Sequence, residues 1–555
     1  MGEKSMIFSS LARQHIIDEM TSREYDLLII GGGITGAGIA LDAAARGIDT
    51  ALVEMNDFSS GTSSRSTKLI HGGLRYLQHG EIKEVAELGR ERAIVYNNGP
   101  HITTPIWMML PFHRGGTFGR WTTSLGLTMY DSLARVKKEE RKKMLSPEAT
   151  LEIEPLLKKE GLLGAGKYVE YRTDDARLTI EVLKTAAQNG ADIINYVQAE
   201  SFEYNHDGKI AGVHVKNRLS GKISKVKARI VVNAAGPWVD AVRAADRTGS
   251  NKEKHLKLSK GVHIVIDQTK FPLRHAVYFD APDGRLIFAI PRDGKAYVGT
   301  TDTFYTGDPS TPKADKEDRD YLLGCIKHFF PDIQLTIDDI ESSWAGVRPL
   351  IYEEGKASVE ISRKDEIWES QTGLITIAGG KLTGYRKMAE KVVSLVVKRL
   401  LTMQRGAFAR CTTKECVLSG GEVGDADQFL QFINHHAKKA ATFGLTEQEG
   451  RYLASKYGSN VGVLFNWSLD AEPSADRLLY AELMYAMNDE MAVTPSDFFI
   501  RRTGDLYFNI QRVKRCMFEA VNLMSETLSW STEQQRAYEH ELDIYIKQAI
   551  LPEDF

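Results

Sequence analysis

An α/β chain is what these 555 residues predict, with a dinucleotide-binding βαβ unit near the N-terminus, a second, antiparallel sheet and a helical C-terminal region. Three observations lead there. The apolar run YDLLII passes directly into the glycine-rich GGGITGAGIALDAAARG. In LIFAIPRDGKAYVGT two β-rich runs flank Asp293-Gly294. Beyond about Arg405 the text turns charged and helical, with few strand signals.

YDLLII, residues 25–30, suits a strand buried on both faces. Gly31, Gly33 and Gly36 then fill the G-x-G-x-x-G positions, and Ala37, Ala40, Ala43 and Ala44 recur at helical spacing, small enough for a helix to lie close on a sheet. DTALVE reads as the next strand and ends on Glu54, which completes strand, glycine turn, helix, strand and acid in the Rossmann-like order. Gly31 allows the tight turn, Gly33 lets a pyrophosphate approach the backbone, and Gly36 permits close helix–strand packing. The amides of Ile34 and Thr35 open the helix and face the phosphates, helped by the helix dipole. Glu54 can accept from both ribose hydroxyls and would repel a 2′-phosphate, which disfavours NADP. The motif alone does not choose between NAD and FAD.

GTSSRSTKLIHGGLRYLQHG, residues 61–80, is dense in hydroxyls and glycines, with Thr62, Ser63, Lys68, Ile70, His71 and Gly72 as candidate cofactor contacts. It either bridges from a pyrophosphate to a flavin ring or is a solvated polar loop. IAGVHV and ARIVVNAAG read as strands, the second returning to the buried sheet and ending near Ala235, Gly236 and Trp238. Asp293-Gly294 tolerates positive φ and marks a hairpin, as expected for a substrate-side wall. ITIAGG is again a buried strand; it ends at Gly380 and runs into the helix of KLTGYRKMAEKVVSLVVKRLL, which Lys381 begins, with Leu382 and Thr383 in its first turn.

Composition removes several classes. Lys plus Arg total 71 against 74 Asp plus Glu, so no global positive field exists to hold nucleic acid. Cys325, Cys411, Cys416 and Cys516 form no C-x-x-C pair, against a zinc ribbon or thioredoxin-type site, and look like reduced cytosolic thiols. The N-terminal stretch lacks the apolar core of a secretory signal. No run approaches the ~20 apolar residues of a membrane span, which leaves peripheral attachment open.

Three further places hold cationic or titratable groups. His263 lies inside the strand-like SKGVHIVID, where a hydrogen-bonded structural histidine is the commoner outcome. Arg348 precedes Pro349 and is biased to extended backbone, suited to bidentate binding of phosphate or carboxylate or, more plainly, to a surface ion pair. Lys381 stands where a cation and free helix amides would stabilise charge developing on a reduced flavin, or where a strand–helix turn leaves a lysine solvated.

Taken together, YDLLIIGGGITGAGIALDAAARG, GTSSRSTKLIHGGLRYL, NAAGPW, KGVHIV, GTTDT, GVRPL and GGKLTGYRK resemble the FAD-dependent glycerol-3-phosphate dehydrogenases, and DFFIRRTGDLYF resembles that family's helical C-terminal domain. Thr67 stands in place of the family's serine and keeps its hydroxyl. The resemblance implies an FAD domain of the glutathione-reductase and D-amino-acid-oxidase kind beneath an antiparallel substrate domain. It implies oxidation of sn-glycerol 3-phosphate to dihydroxyacetone phosphate, with electrons passed to membrane quinone. The expected division is an oxidoreductase unit at 21–405 and a helical domain at 406–555. Within the former, about 21–90, 165–250 and 340–405 bind FAD, and about 91–164 and 251–339 form the substrate part. Gly346 joins the cofactor residues by the GVRPL match.

On this reading Arg348 and Arg75 clamp the substrate phosphate, Tyr76 and Thr300 or Thr301 donate to it, Lys381 polarises the flavin or the developing ketone, and His263 is the base. Electron delivery to quinone needs a peripheral surface on the inner face of the cell membrane. Its candidates are MIFSSLARQHII, residues 107–112, and the basic VKKEERKK, each of which taken alone reads more simply as core or as a solvated charge run. The C-terminal region is a candidate support for a homodimer. Rivals are a glycerol-3-phosphate oxidase using O2 and releasing H2O2, an amine oxidase acting on sarcosine or glycine, and a non-catalytic flavoprotein or nicotinamide-binding regulator.

Overall fold

A computed structural model describes residues 8–72, 82–117, 119–133, 140–247, 254–353 and 365–550. The strand Glu24–Ile30, buried at every position after the first, is the centre of an eight-stranded sheet. Thr50–Val53 and Ile223–Asn233 flank it in parallel, Asp192–Ile194 extends the sheet on one side, and Ile375–Ala378 extends it in parallel on the other. Val197–Tyr204 and Ile210–Asn217 form an antiparallel meander onto Ile223–Asn233. The helix Ile34–Ala45 crosses between the first two strands, and its small residues bring a second helix close: a Cβ on Gly38 would stand 2.9 Å from the Tyr385 ring and 3.2 Å from Ala389 of Tyr385–Thr402.

The second sheet has ten strands and is mostly antiparallel. Its pivot is Lys254–Asp267, paired along its length with Ile340–Glu353, so that His263 faces Trp344, Gly261 faces Gly346 and Ser259 faces Arg348. On the other side His263 pairs with Gly299 of Lys295–Gly299. The hairpin read from Asp293-Gly294 forms as expected, with Arg292 opposite Lys295 and φ of 51° and 79° at the two turn residues. Thr103–His113 and Leu162–Thr173 complete the wall. Three pieces therefore sit differently from the expected division. Leu69–Ile70, most of Leu162–Thr173 and Ile340–Glu353, placed by sequence with the FAD-binding part, hydrogen-bond into the antiparallel sheet.

Of the candidate membrane patches, the described parts of the two apolar ones are largely core, with Leu11 exposed. Phe8 stacks on Phe58 at 5.4 Å, and Ile16 and Met20 are buried beneath the helix Arg13–Ser22. Met108, Met109, Leu110 and Phe112 are buried in Thr103–His113, and Trp107 lies under the ammonium groups of Lys143 and Lys167. Short apolar runs read alike whether they meet core or lipid. Most of VKKEERKK lies outside the described residues. Among the described residues no helix is long and apolar enough to cross a membrane.

Six long helices from Ala426–Lys439 to Thr532–Ile550 make up most of the C-terminal region. They dock on the second sheet through Ser342 Oγ to the Tyr507 carbonyl (2.6 Å) and Ser343 Oγ to the Ala549 carbonyl (3.2 Å). They also reach the N-terminal segment, where Ser10 Oγ donates to the Met487 carbonyl at 3.0 Å.

His101 is wedged beside Gly420 and Gly458, buried, with no hydrogen bond to either ring nitrogen. Burial first, then Arg177 and Lys184, drives its pKa down to about 3. The native ring is thus neutral while the unfolded chain protonates below ~6.5, so its contribution is intact above that pH and is lost as pH falls toward 3. At pH 5 this costs about 2 kcal/mol. Thermal unfolding followed against pH should show that acid limb, and His101→Met should flatten it.

Candidate active site

A cavity of about 600 Å³ opens at the carboxyl ends of the parallel strands, where Ile30, Val53 and Ala234 reach its wall. That is where open α/β sheets hold ligands, and the size is that of a cofactor cleft. Its floor is the glycine turn, with Gly31, Gly33, Ile34 and Thr35 on the wall. Gly31 adopts φ of +116°, and a Cβ there would meet the Ala234 carbonyl at 2.5 Å. Gly36 faces inward: a Cβ would lie 1.9 Å from the Gly31 carbonyl oxygen. The helix Ile34–Ala45 starts from Gly33, which offers its amides no side-chain cap. Ser63 Oγ accepts from the Ile34 amide at 2.9 Å.

Glu54 stands at the end of Thr50–Val53 with each oxygen taking a backbone amide, Gly32 at 2.7 Å and Asn56 at 2.8 Å. Burial raises its pKa, and these two amides oppose the rise. Glu54 itself lines the cavity. Thr62, Ser63, Ala235, Gly236 and Trp238 line the same space, as do Gly380, Lys381 and Leu382 from the opposite strand end. A cleft lined by a glycine turn, a helix start and a fixed carboxylate fits a dinucleotide.

Other expected contacts stand behind this wall. Lys68 is buried, its ammonium held by Asp175 at 2.6 Å and the Ser64 carbonyl at 2.9 Å. Ile70 is buried in the short strand Leu69–Ile70. The Gly72 amide donates to Tyr130, whose hydroxyl also takes Arg92 and meets Glu170. Gly346 lets the Arg65 backbone pass, since a Cβ would stand 2.4 Å from its carbonyl. His71 and Thr383 are tied together: the Thr383 hydroxyl accepts from the His71 amide (3.1 Å) and donates to its carbonyl (3.0 Å). Burial and then Lys381 lower the His71 pKa to about 4. Lys381 caps a 3₁₀ turn, Leu382–Gly384, rather than beginning the α-helix, and its ammonium meets Glu84 at 3.1 Å. Arg75 and Tyr76 lie outside the described residues.

Arg348, Thr300 and Thr301 do converge. Arg348 Nη2 donates to Thr300 Oγ1 at 2.9 Å and Nη1 to the Thr301 carbonyl at 3.4 Å, with Asp302 at 3.7 Å. Gly261 makes the room, as a Cβ would stand 2.5 Å from Arg348 Nη2. On the same strand His263 is buried, stacked on Trp344 at 4.7 Å, with Nε2 3.1 Å from Thr67 Oγ1 and Nδ1 without a partner. Burial, then Arg348 and Lys68, pulls its pKa well below the ordinary value, so the ring is neutral.

Sequence reasoning missed the strand Val197–Tyr204, which supplies Val197, Ala199 and Phe202 to the cavity wall. An alternating strand reads the same whether its face meets core or ligand. It also missed Arg92, Glu170 and Asp175, whose partners are distant in sequence. Because Gly36 has no room for a methyl group, Gly36→Ala should open the strand–helix contact. Purified variant should carry a small fraction of the wild-type flavin, measured as flavin absorbance per mole of protein.

Residues 26–386 match the family model described as FAD dependent oxidoreductase, and residues 411–535 match that of the C-terminal domain of alpha-glycerophosphate oxidase. An aerobic glycerol-3-phosphate dehydrogenase of Staphylococcus haemolyticus is 56% identical over 548 residues, covering 98% of each chain. One from Staphylococcus aureus is 57% identical with the same coverage. The crystal structure of the glycerol-3-phosphate dehydrogenase from Bacillus halodurans complexed with FAD superposes with a TM-score of 0.85, at 48% identity and 99% of each chain. At 20% identity and a TM-score of 0.55, an L-alpha-glycerophosphate oxidase from Mycoplasma pneumoniae shares the fold over 67% of this chain and 95% of its own. With a glycine-floored dinucleotide cleft and full-length likeness of this degree, the chain belongs to the FAD-dependent oxidoreductases, in the family of the aerobic glycerol-3-phosphate dehydrogenases.

Proposed function

We propose that this chain oxidises sn-glycerol 3-phosphate at C2 to dihydroxyacetone phosphate and passes the electrons to membrane quinone. The observation that carries the reading is the convergence of Arg348 and Thr300 over Gly261, two residues along the strand from the neutral His263, in a chain whose full-length relatives are named glycerol-3-phosphate dehydrogenases. Held in the cavity, FAD supplies the acceptor for the hydride that leaves C2.

The chain's own residues do the rest. Glycine-turn amides and Glu54 hold the dinucleotide from its pyrophosphate and ribose side. Arg348, with Thr300 fixing its guanidinium, binds the dianionic phosphate by charge-assisted hydrogen bonds, joined by Arg75 and Tyr76. His263 takes the C2 hydroxyl proton; its depressed pKa keeps the ring unprotonated at working pH, and Thr67 and Trp344 fix its plane. Lys381, paired with Glu84, brings its ammonium to the cavity wall beyond the end of the strand Ile375–Ala378, to polarise the flavin or the developing ketone.

Quinone is favoured over oxygen because the relatives at 56–57% identity are named dehydrogenases, whereas the oxidase shares only the fold. The C-terminal match does not discriminate, since its family model is named for an oxidase. Delivery to quinone places the chain peripherally on the cytoplasmic face of the membrane, with the basic stretch around 136–143 as the remaining contact candidate.

Anaerobic mixing of the purified holoenzyme with sn-glycerol 3-phosphate in a stopped-flow spectrometer tests the reading. Bleaching of the oxidised flavin band is expected, followed by fast reoxidation with a quinone analogue and slow reoxidation by oxygen. A flavin band untouched by this substrate would overturn the substrate, and rapid oxygen turnover with peroxide release would make the enzyme an oxidase. His263→Ala should slow flavin reduction ~10²–10⁴-fold, and near-normal reduction would remove it as the base. Arg348→Lys keeps the charge but not the fork, so substrate affinity should fall while reduction at saturation changes less; unchanged affinity would reject the clamp.

A further inference from the structure

Between Met55 and Ser60, both on the cavity wall, residues 56–59 leave it, and Asp57 is among them. The near side of this loop is stitched to the glycine turn. Ser59 donates its amide to the Gly32 carbonyl at 3.0 Å, the Gly32 amide returns to Glu54, and the Phe58 ring lies 2.8 Å from where a Gly32 Cβ would be. The far side is gripped from the C-terminal region. Arg502 makes a two-pronged contact with Asp57, Nη1 to Oδ2 at 2.8 Å and Nη2 to Oδ1 at 2.9 Å, and Arg501 Nε also reaches Oδ2. Asn195 donates to Oδ1 at 3.0 Å and to the Met491 carbonyl at 3.0 Å. All three charged side chains are buried, and Asp57 is held down to a pKa of about 2 against its own burial.

The arginines are themselves fixed. Arg501 Nη2 donates to Asp497 at 2.7 Å, whose carboxylate also takes the Tyr196 hydroxyl (2.7 Å) and the Val493 and Thr494 amides. Arg502 Nη2 donates to the Glu490 carbonyl at 2.7 Å. Tyr196 closes the circuit by donating its amide to the Asn56 carbonyl at 2.9 Å, within the same loop. Undocking the C-terminal region would leave Asp57 a buried charge without its cations, a state costly enough that the loop must rearrange. That loop carries Glu54, Ser60, Thr62 and Ser63 to the cavity.

We propose that Arg501 and Arg502 are positioning residues for the cofactor site, so that FAD retention and docking of the C-terminal region are thermodynamically coupled through Asp57. The proposal rests on the cavity being the FAD site. Coupling of this kind is reciprocal: whatever factor docking adds to FAD affinity, FAD adds to docking, typically about 5–150-fold.

The test measures FAD release from holoenzyme, by recovery of free-flavin fluorescence, in Arg502→Lys, Asp57→Asn and Arg512→Lys. Arg512 is buried and binds Glu482 (2.7 Å) and Asp505 (2.8 Å) wholly within the C-terminal helices, so its variant weakens that region without touching Asp57. Arg502→Lys and Asp57→Asn should each weaken FAD retention about tenfold, while Arg512→Lys should lower Tm and leave FAD retention unchanged. Bound FAD should also slow proteolysis at the exposed residues 403–407 in the wild type, and this protection should vanish in Arg502→Lys. Wild-type FAD retention in both Asp57-cluster variants, or equal FAD loss in Arg512→Lys, would overturn the coupling. Wild-type protein that holds no FAD would instead overturn the cofactor reading on which it rests.

Discussion

The contact between Gly36 and the Gly31 carbonyl sets the geometry from which the rest follows. With 1.9 Å between that oxygen and any Cβ, the helix Ile34–Ala45 is pressed onto the end of Glu24–Ile30, and its first residues, Ile34 and Thr35, line the cleft. Glycine at both positions makes the approach sterically possible, and at Gly31 it also meets a positive φ. The approach fixes where Glu54 stands, because Gly32 in the turn donates to its carboxylate. Turn, helix start and acid therefore move as one unit.

Around that unit the chain uses buried ion pairs where loops cross between elements. Lys68–Asp175 secures the hydroxyl-rich stretch to the helix Asp175–Gln188, Arg92–Glu170 supports Gly72 through Tyr130, and Arg502–Asp57 secures the loop beyond Glu54. Each pair is nearly removed from solvent, so breaking one side leaves an uncompensated charge at a cost of about 3–5 kcal/mol. Loops around a cofactor cleft cannot be packed like a core, because one face must stay open. Directional charge-assisted contacts on the other face give them a single conformation.

The site divides chemically between its two sheets. The parallel sheet presents backbone amides and one carboxylate, which suit a dinucleotide. The antiparallel sheet presents Arg348 and His263 from paired strands, and Thr300 just past the end of Lys295–Gly299, groups that suit an anionic alcohol. His263 owes its neutrality to this position: it is enclosed by Trp344 and by strand partners that include a glycine, and a Cβ on Gly299 would stand 2.2 Å from its ring. The C-terminal helices pack against Trp344, with Tyr507 and Phe508 on the indole, so they border the wall that carries His263 as well as the Asp57 loop.

Local chemistry was readable from the chain alone. The glycine spacing, the alternation around His263, the Asp293-Gly294 turn and Glu54 at a strand end each depend on neighbours a few residues away, and steric and hydrogen-bonding rules act at that range. Tertiary structure decided which apolar runs are core, since MIFSSLARQHII and residues 107–112 carry no mark that separates a buried strand or helix from a lipid-facing one. It decided that Lys68 answers Asp175 rather than facing the cleft, and that Ile340–Glu353 belongs to the antiparallel sheet. It alone brought Arg502 to Asp57 across 445 residues. A charge in a sequence declares its sign but not its partner, and the partner is set by how the sheets and helices stack.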